Sequence, residues 1–160
     1  MDLLEAKSRI AEGLVESIFR RARYDVAPFR REQVPLRFGR EDFSPDFRIS
    51  QRIDEEAHEY LIEVKYRPSA EQFISVENQR GDRSIFHMMR RHWPALYFVL
   101  VTERPEPGRS CFQALSFEAL RTGEPFRMVD LIEVKEFGLF PHNLEDHEAL
   151  ARRIFGSLNA

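Results

Sequence analysis

The feature that most constrains the fold is a near-continuous apolar run, Leu-Tyr-Phe-Val-Leu-Val-Thr, at positions 96–102. A strand with one face in water alternates apolar and polar residues, whereas a strand covered on both faces is apolar throughout. Pro94 precedes the run, and a Pro-rich turn over Arg104–Gly108 follows it. The run therefore predicts a sheet strand with a layer of structure on each face.

The rest of the chain predicts those layers. Apolar residues recur at helical spacing over Leu3–Arg23, and an apolar, β-branched stretch predicts a strand over Glu59–Tyr66. Further predicted elements are a strand over Pro45–Ile53, a helical segment over Ala70–His92 broken near Gly81, strands over Ser110–Leu115 and Phe126–Glu136, a short helix over Phe117–Arg121 and a closing helix over Leu144–Leu158. This order predicts one α/β domain over residues 1–160, a sandwich in which helices flank a central mixed β-sheet.

Composition excludes several classes of protein. Cys111 is the single cysteine of the chain, which excludes an internal disulfide and a zinc or iron–sulfur site built on four cysteines. No apolar run approaches the roughly 20 residues of a membrane helix. The charged N-terminus has no signal-peptide core, so we expect a cytoplasmic protein without a membrane role.

Two short pieces of sequence carry candidate chemistry. Pro45-Asp46 is followed, seventeen positions after the aspartate, by Glu63-Val64-Lys65 inside the predicted strand Glu59–Tyr66. Side chains two apart on a strand share a face, so Glu63 and Lys65 point the same way, and Asp46 reaches that face if its strand pairs as a hairpin. Two converging carboxylates suit Mg²⁺ or Mn²⁺. The simpler interpretation is a Glu/Lys surface pair with an unrelated aspartate.

This layout resembles the catalytic signature of the PD-(D/E)xK nucleases, the restriction-endonuclease-like superfamily. The resemblance implies a restriction-endonuclease-like sandwich and a divalent-metal-dependent endonuclease that hydrolyses DNA phosphodiester bonds. It further implies that Asp46 and Glu63 bind the metal, that the backbone carbonyl of Val64 adds a ligand, and that Lys65 acts on the attacking water.

The first helix extends the resemblance. The segment that starts at Ala11-Glu12 and runs to Val26 resembles the opening helix of archaeal-type Holliday-junction resolvases, in which a glutamate completes the metal site. The match places that glutamate at Glu12. Glu16, one turn later, is the alternative, and solvated helix charges are a third interpretation for both.

Basic residues are clustered although the formal net charge is −3. From these clusters we expect nucleic-acid contacts at Arg80, Arg83, Arg37 and Arg40, with a solvated surface as the alternative. The superfamily resemblance implies a further contact at Gln79, a polar residue on the helix after Lys65, and an ordinary exposed amide is the alternative there. The expected partner is DNA, and the sequence does not separate DNA from RNA. Because one domain presents one active site, cutting both strands favours a homodimer or a partner subunit. Phe137-Gly-Leu-Phe140 is a candidate contact, and a place in the core is the alternative for this segment.

Two features of the sequence, its acidic balance and an internal repeat, allow other interpretations. The acidic balance also suits a catalytically inactive, nuclease-like domain that binds nucleic acid or a protein partner in a larger assembly. In addition, Leu131-Ile-Glu-Val-Lys135 repeats Leu61-Ile-Glu-Val-Lys65. The second copy has no Pro-Asp before it at a suitable distance, and we interpret it as a strand whose sequence coincides with the first.

Overall fold

The structure, a computed structural model, describes residues 2–29, 36–38, 41–116 and 124–160. The four α-helices within these ranges are α1 (Leu3–Arg21), α2 (Ala70–Arg80), α3 (Ile85–His92) and α4 (Pro141–Asn159). The strands are β1 (Asp25–Pro28), β2 (Leu36–Phe38), β3 (Glu41–Phe43), β4 (Phe47–Ile53), β5 (Glu56–Tyr66), β6 (Leu96–Val101), β7 (Phe112–Leu115) and β8 (Met128–Asp130). The short helix predicted over Phe117–Arg121 lies outside the described residues.

Six of these strands form one mixed sheet in the order β1-β4-β5-β6-β7-β8. Strand β5 pairs in parallel with β6, and the other neighbours pair antiparallel. Parallel neighbours need a crossover, and α2 and α3 provide it between β5 and β6. The predicted α/β class with a central mixed sheet is therefore confirmed, and β2 and β3 form a separate two-stranded hairpin.

Helices cover both faces of the sheet. On one face, Val15, Ile18 and Phe19 of α1 and Phe155 of α4 belong to a core that includes Ile62 and Val64 of β5. On the other face, Phe86 and Met89 of α3 pack in a second cluster with Leu96 and Phe98 of β6. All six residues of β6 are buried, as the apolar run predicts.

A tight turn sets the register of the β4–β5 hairpin. Asp54 and Glu55 have φ angles of 51° and 68°, the left-handed values that a two-residue hairpin turn needs at both central positions. The register runs from Ile53 opposite Glu56 to Phe47 opposite Ile62. Strand β4 therefore begins opposite Ile62, and the last residues of β5 extend beyond the paired region.

The predicted strand over Phe126–Glu136 is wrong for most of its length. Only Met128–Asp130 pairs with β7, and Leu131–Glu133 and Lys135–Phe137 form two 3₁₀ turns. The Glu133 carboxylate accepts the backbone N–H of Asp130 at 3.3 Å, and Gly138 leaves the second turn with a φ of 59°. The first copy of the Leu-Ile-Glu-Val-Lys sequence is thus part of strand β5 inside the sheet. The second copy forms turns where the chain leaves the sheet.

No helix in the described ranges is long and apolar enough to span a membrane.

A buried ionic cluster anchors the start of α1. Lys7 Nζ lies 2.9 Å from Glu103 Oε1 and donates to Asn159 Oδ1 at 2.6 Å, and the Tyr66 hydroxyl also donates to Glu103. Burial alone would raise the pKa of Glu103, but hydrogen bonds from Tyr66, Lys7 and Asn159 hold it below its usual value. The cluster joins α1 to the end of β5, to the loop after β6 and to the end of α4.

We expect Lys7→Met to lower the free energy of unfolding by about 3 kcal/mol, because it leaves the Glu103 carboxylate buried without its cation. The side chains of Lys7 and Glu103 are only 8% and 10% exposed. Urea denaturation measures the change. The matched control is Arg9→Met, which removes an exposed pair with Glu5 in the same helix and should cost less than about 1 kcal/mol. Equal losses in the two variants would contradict the assignment of a buried pair.

Candidate active site

Asp46 is held at the point where β4 begins. Its backbone N–H donates to Ile62 O at 2.8 Å, and its carboxylate Oδ2 accepts the backbone N–H of Val64 at 2.6 Å. The Asp46 carboxylate therefore accepts the hydrogen bond that a backbone carbonyl would accept if the pairing of β4 with β5 continued. Pro45, which is buried and has no N–H to place, precedes it. This arrangement directs the carboxylate towards the end of β5.

Glu63 and Lys65 lie on the same face of β5, as their spacing predicts. Lys65 Nζ contacts Glu63 Oε1 at 3.1 Å. Glu63 is 4% exposed, and its second oxygen, Oε2, is buried without a hydrogen-bond partner among the described residues. A buried carboxylate oxygen without a partner is costly, so this atom marks a position where a proton or a cation would lower the free energy.

Helix α1 brings Glu12, and not Glu16, to this region. Glu12 and Asp46 line the same recess, and a hydrogen bond between their carboxyl groups is one of the causes that raise the pKa of Glu12. Glu16 instead accepts from Arg20 at 3.0 and 2.8 Å, on an exposed part of the helix. Of the two positions that the sequence left open, the geometry selects Glu12.

These side chains line one recess of about 230 Å³. Its lining residues are Ser8, Glu12, Ser44, Asp46, Glu63, Val64, Lys65, Tyr66 and Arg67. The recess opens before the first residue of β4, where β5 has no partner strand on that side, so residues from both faces of β5 reach it. Three carboxyl groups and two cationic groups share this small volume.

The carboxyl groups raise one another's pKa. Burial, followed by the charge of Asp46 and a hydrogen bond with it, raises the pKa of Glu12 to about 7. Burial and then the charge of Asp46 raise the pKa of Glu63 to about 8, although Lys65 acts in the opposite direction. Without a further cation, the cluster therefore retains protons at neutral pH.

The donor set suits a hard divalent cation. Within the described residues, no three Asp, Glu, His or Cys side chains are arranged to hold one metal ion. Mg²⁺, however, usually takes only one or two carboxylates and keeps several waters. Asp46 and the unpartnered oxygen of Glu63 fit that requirement, and both are oxygen ligands of the hardness that Mg²⁺ and Mn²⁺ prefer.

The predicted nucleic-acid contacts lie elsewhere. Gln79 and Arg80 are exposed at the end of α2, an 11-residue helix about 16 Å long that begins near the recess. Arg83 is exposed in the following 3₁₀ turn, and Arg80 pairs with Glu77 at 3.0 Å. None of the three lines the recess. Arg37 lies in β2, where only the backbone is described, and Arg40 lies outside the described residues.

Three polar residues of the recess were missed by the sequence analysis: Ser8, Ser44 and Arg67. Ser8 lies four residues before Glu12 and so shares its helix face, a relation that periodicity could have revealed. Arg67 lies two positions after Lys65, and the period of two along a strand therefore predicts that both side chains lie on the same face. No sequence signal points to Ser44 apart from its nearness to Asp46.

Comparisons with protein-family models, with curated proteins and with solved structures found no match. The residues of the recess and their geometry therefore provide the basis for assigning its chemistry.

We expect the stability of the metal-free protein to contain a component that falls as the pH rises from about 4.5 to about 8. The folded state keeps protons on Glu12 and Glu63 that the unfolded chain releases near pH 4.5, so folding takes up protons in this window and a higher pH opposes it. Glu63→Gln should remove part of this fall.

The free energy of unfolding is measured by urea denaturation at several pH values, with a chelator present. At each pH the value for the Glu63→Gln variant is subtracted from that for the wild type. The difference is needed because burial lowers the pKa of His147, which makes stability rise with pH. A difference that is flat or rises with pH would contradict the raised pKa of Glu63.

Proposed function

We propose that the protein is a divalent-metal-dependent endonuclease of the restriction-endonuclease-like kind, and that it hydrolyses DNA phosphodiester bonds. The observation that carries the proposal is the recess that Glu12, Asp46, Glu63 and Lys65 line together. A Glu/Lys surface pair with an unrelated aspartate would not produce this convergence. It would also not leave a buried carboxylate oxygen without a partner.

The architecture supports the proposed fold family. A mixed sheet carries the candidate residues on its central strand β5, and α1 crosses beside that strand with the additional glutamate. A mixed sheet flanked by helices is compatible with the sandwich that the sequence resemblance implies.

Asp46 and Glu63 would hold the metal, and the Val64 carbonyl would add a ligand as the resemblance implies. A bound Mg²⁺ would polarise the scissile phosphate and lower the pKa of a coordinated water. Asp46 is oriented for this role in advance, because the N–H of Val64 fixes one of its oxygens. Glu12, which lines the same recess, would add negative charge around the metal once metal binding has released its proton.

Lys65 would act on the reacting groups directly. Its side chain is about a quarter exposed and lines the recess, and the contact of its ammonium with Glu63 holds it in place. At that position it can orient the attacking water and stabilise the negative charge that develops on the phosphate oxygens. Arg67 lies on the same side and adds a guanidinium suited to a neighbouring phosphate.

The acidic net charge agrees with this function once the carboxylate cluster is considered. Carboxylates that bind a cation lower the formal charge without repelling the substrate when the cation is bound. A homodimer or partner subunit remains our proposal for cutting two strands. In the candidate contact Phe137–Phe140, however, Phe137 and Leu139 are buried and only Phe140 offers a large exposed apolar side chain, at 63%.

The protein should cleave plasmid, linear or branched DNA in the presence of Mg²⁺ or Mn²⁺. Asp46→Asn, Glu63→Gln and Lys65→Met should each reduce the rate by at least about 100-fold, the usual cost of removing a catalytic acid, base or charge-stabilising group. Lys135→Met is the matched control, because Lys135 ends the same five-residue sequence in an exposed 3₁₀ turn. Equal activity in all of these proteins would place the cleavage at another site or in a contaminant.

Metal binding provides a test that does not require turnover. We expect Mn²⁺ to bind the wild type and to raise its melting temperature most strongly near pH 8, because the metal replaces the protons of the carboxyl cluster. Asp46→Asn should abolish both effects, whereas Glu16→Gln, one turn beyond Glu12, should leave them unchanged. Calorimetry and a thermal shift series measure them. A wild type that binds no Mn²⁺ would instead favour the inactive, nuclease-like alternative.

A further inference from the structure

A second cavity, of about 290 Å³, opens beside the recess. It lies between the first turns of α2, the loop after β6, and strands β7 and β8 with the segment that leads into β8. Its volume is near the lower end of the range, roughly 300–1,000 Å³, of sites that hold small molecules. The cavity therefore has room for a group of about one nucleotide.

The floor of this cavity is apolar. Ile74, Phe126 and Met128 line it. Two polar side chains beside them already have partners: Arg109 donates to Met128 O at 2.8 Å and to Asp130 at 3.1 Å, and Gln113 donates to Ser110 O at 2.9 Å. Such a floor suits the face of an aromatic base, which gains stacking and dispersion energy without leaving a polar group unpaired.

The rim carries charges of both signs. Arg104 and Arg127 are exposed there, together with Glu71 and Glu106. Guanidinium groups bind phosphate oxygens, and carboxylates accept hydrogen bonds from the amino groups of bases. Two carboxylates would repel a simple anion. The mixed rim over an apolar floor therefore fits a nucleotide better than it fits inorganic phosphate.

The two cavities are close enough to hold adjacent parts of one strand. Arg67 lines the recess and Ser69 lines the second cavity. Two residues of extended chain span at most about 7 Å. A phosphate held beside Lys65 would thus place a neighbouring nucleotide of the same strand at the mouth of the second cavity.

We propose that this cavity binds an unpaired nucleotide next to the scissile phosphate, an inference that rests on the proposed nuclease function. A base in an intact duplex is stacked and paired and must leave the helix to enter a pocket. The preferred substrate is then DNA with unpaired nucleotides beside the cleavage point: a single strand, a flap or a branch. Continuous duplex DNA is a poor substrate.

The binding test uses deoxycytidine 5′-monophosphate, the Asp46→Asn background and a chelator, so that neither metal nor cleavage is involved. We expect the nucleotide to shift the NMR signals of Met128 and Ile74. Arg104→Glu combined with Arg127→Glu should weaken binding by at least about tenfold, and Arg153→Glu, an exposed charge reversal on α4, should not. Unchanged binding in the double variant, or equally tight binding of inorganic phosphate, would overturn the proposal.

The cleavage test compares a flap substrate with closed circular duplex in the wild type. We expect a preference for the flap of at least about tenfold, and Met128→Trp, which fills the cavity without changing its charge, should remove this preference. A wild type that cuts closed duplex as fast as the flap would overturn the proposal while leaving the nuclease function intact. Absence of any metal-dependent cleavage would instead count against the nuclease function, and the nucleotide-binding test would still decide whether the cavity is a site.

Discussion

The geometry of the candidate site depends on where β4 begins. Because β4 begins only at Phe47, opposite Ile62, the N–H of Val64 receives no ladder partner from the backbone of β4. The carboxylate of Asp46 fills that position at 2.6 Å. One hydrogen bond thus satisfies a backbone donor and fixes Asp46 beside the strand that carries Glu63 and Lys65.

The same interruption opens the sheet. Beyond Ile62, β5 keeps β6 on one side, while on the other side the recess begins. The recess is then reached by side chains from both faces of β5. Glu12 of α1 reaches it as well. A continuous β4 would have separated these groups on two faces, with the backbone between them.

Placing three carboxyl groups in this volume has an electrostatic consequence. Burial, and then the charge of Asp46, raises the pKa of both Glu12 and Glu63, because each deprotonation raises the free energy of the next one. Lys65 offsets part of the repulsion, and the unpartnered oxygen of Glu63 shows that the compensation is incomplete. A divalent cation would complete it, so the electrostatics of the folded chain and the proposed chemistry lead to the same ligand.

The sequence predicted those parts of the site that depend on local periodicity. The pairing of Glu63 with Lys65 follows from the period of two, and the burial of β6 follows from its uninterrupted apolar run. The repeated Leu-Ile-Glu-Val-Lys sequence shows the limit, because identical residues form a strand at β5 and 3₁₀ turns at 131–137. Whether this five-residue sequence forms a strand depends on partner strands that are distant in sequence. The periodicity of the sequence contains no information about those partners. Glu12 and Glu16 were likewise separable only by the contacts of α1.

The buried ionic cluster around Lys7 connects the candidate site to the rest of the fold. Lys7 is one residue from Ser8 and five from Glu12, and it is held by Glu103, Asn159 and the ring of Tyr66. Tyr66 also lines the recess. The angle at which α1 presents Glu12 is therefore set by residues from the end of β5, the loop after β6 and the end of the chain. A buried ion pair contributes little net stability compared with an apolar substitute, but its directional contacts fix one helix position, and the placement of Glu12 requires that position.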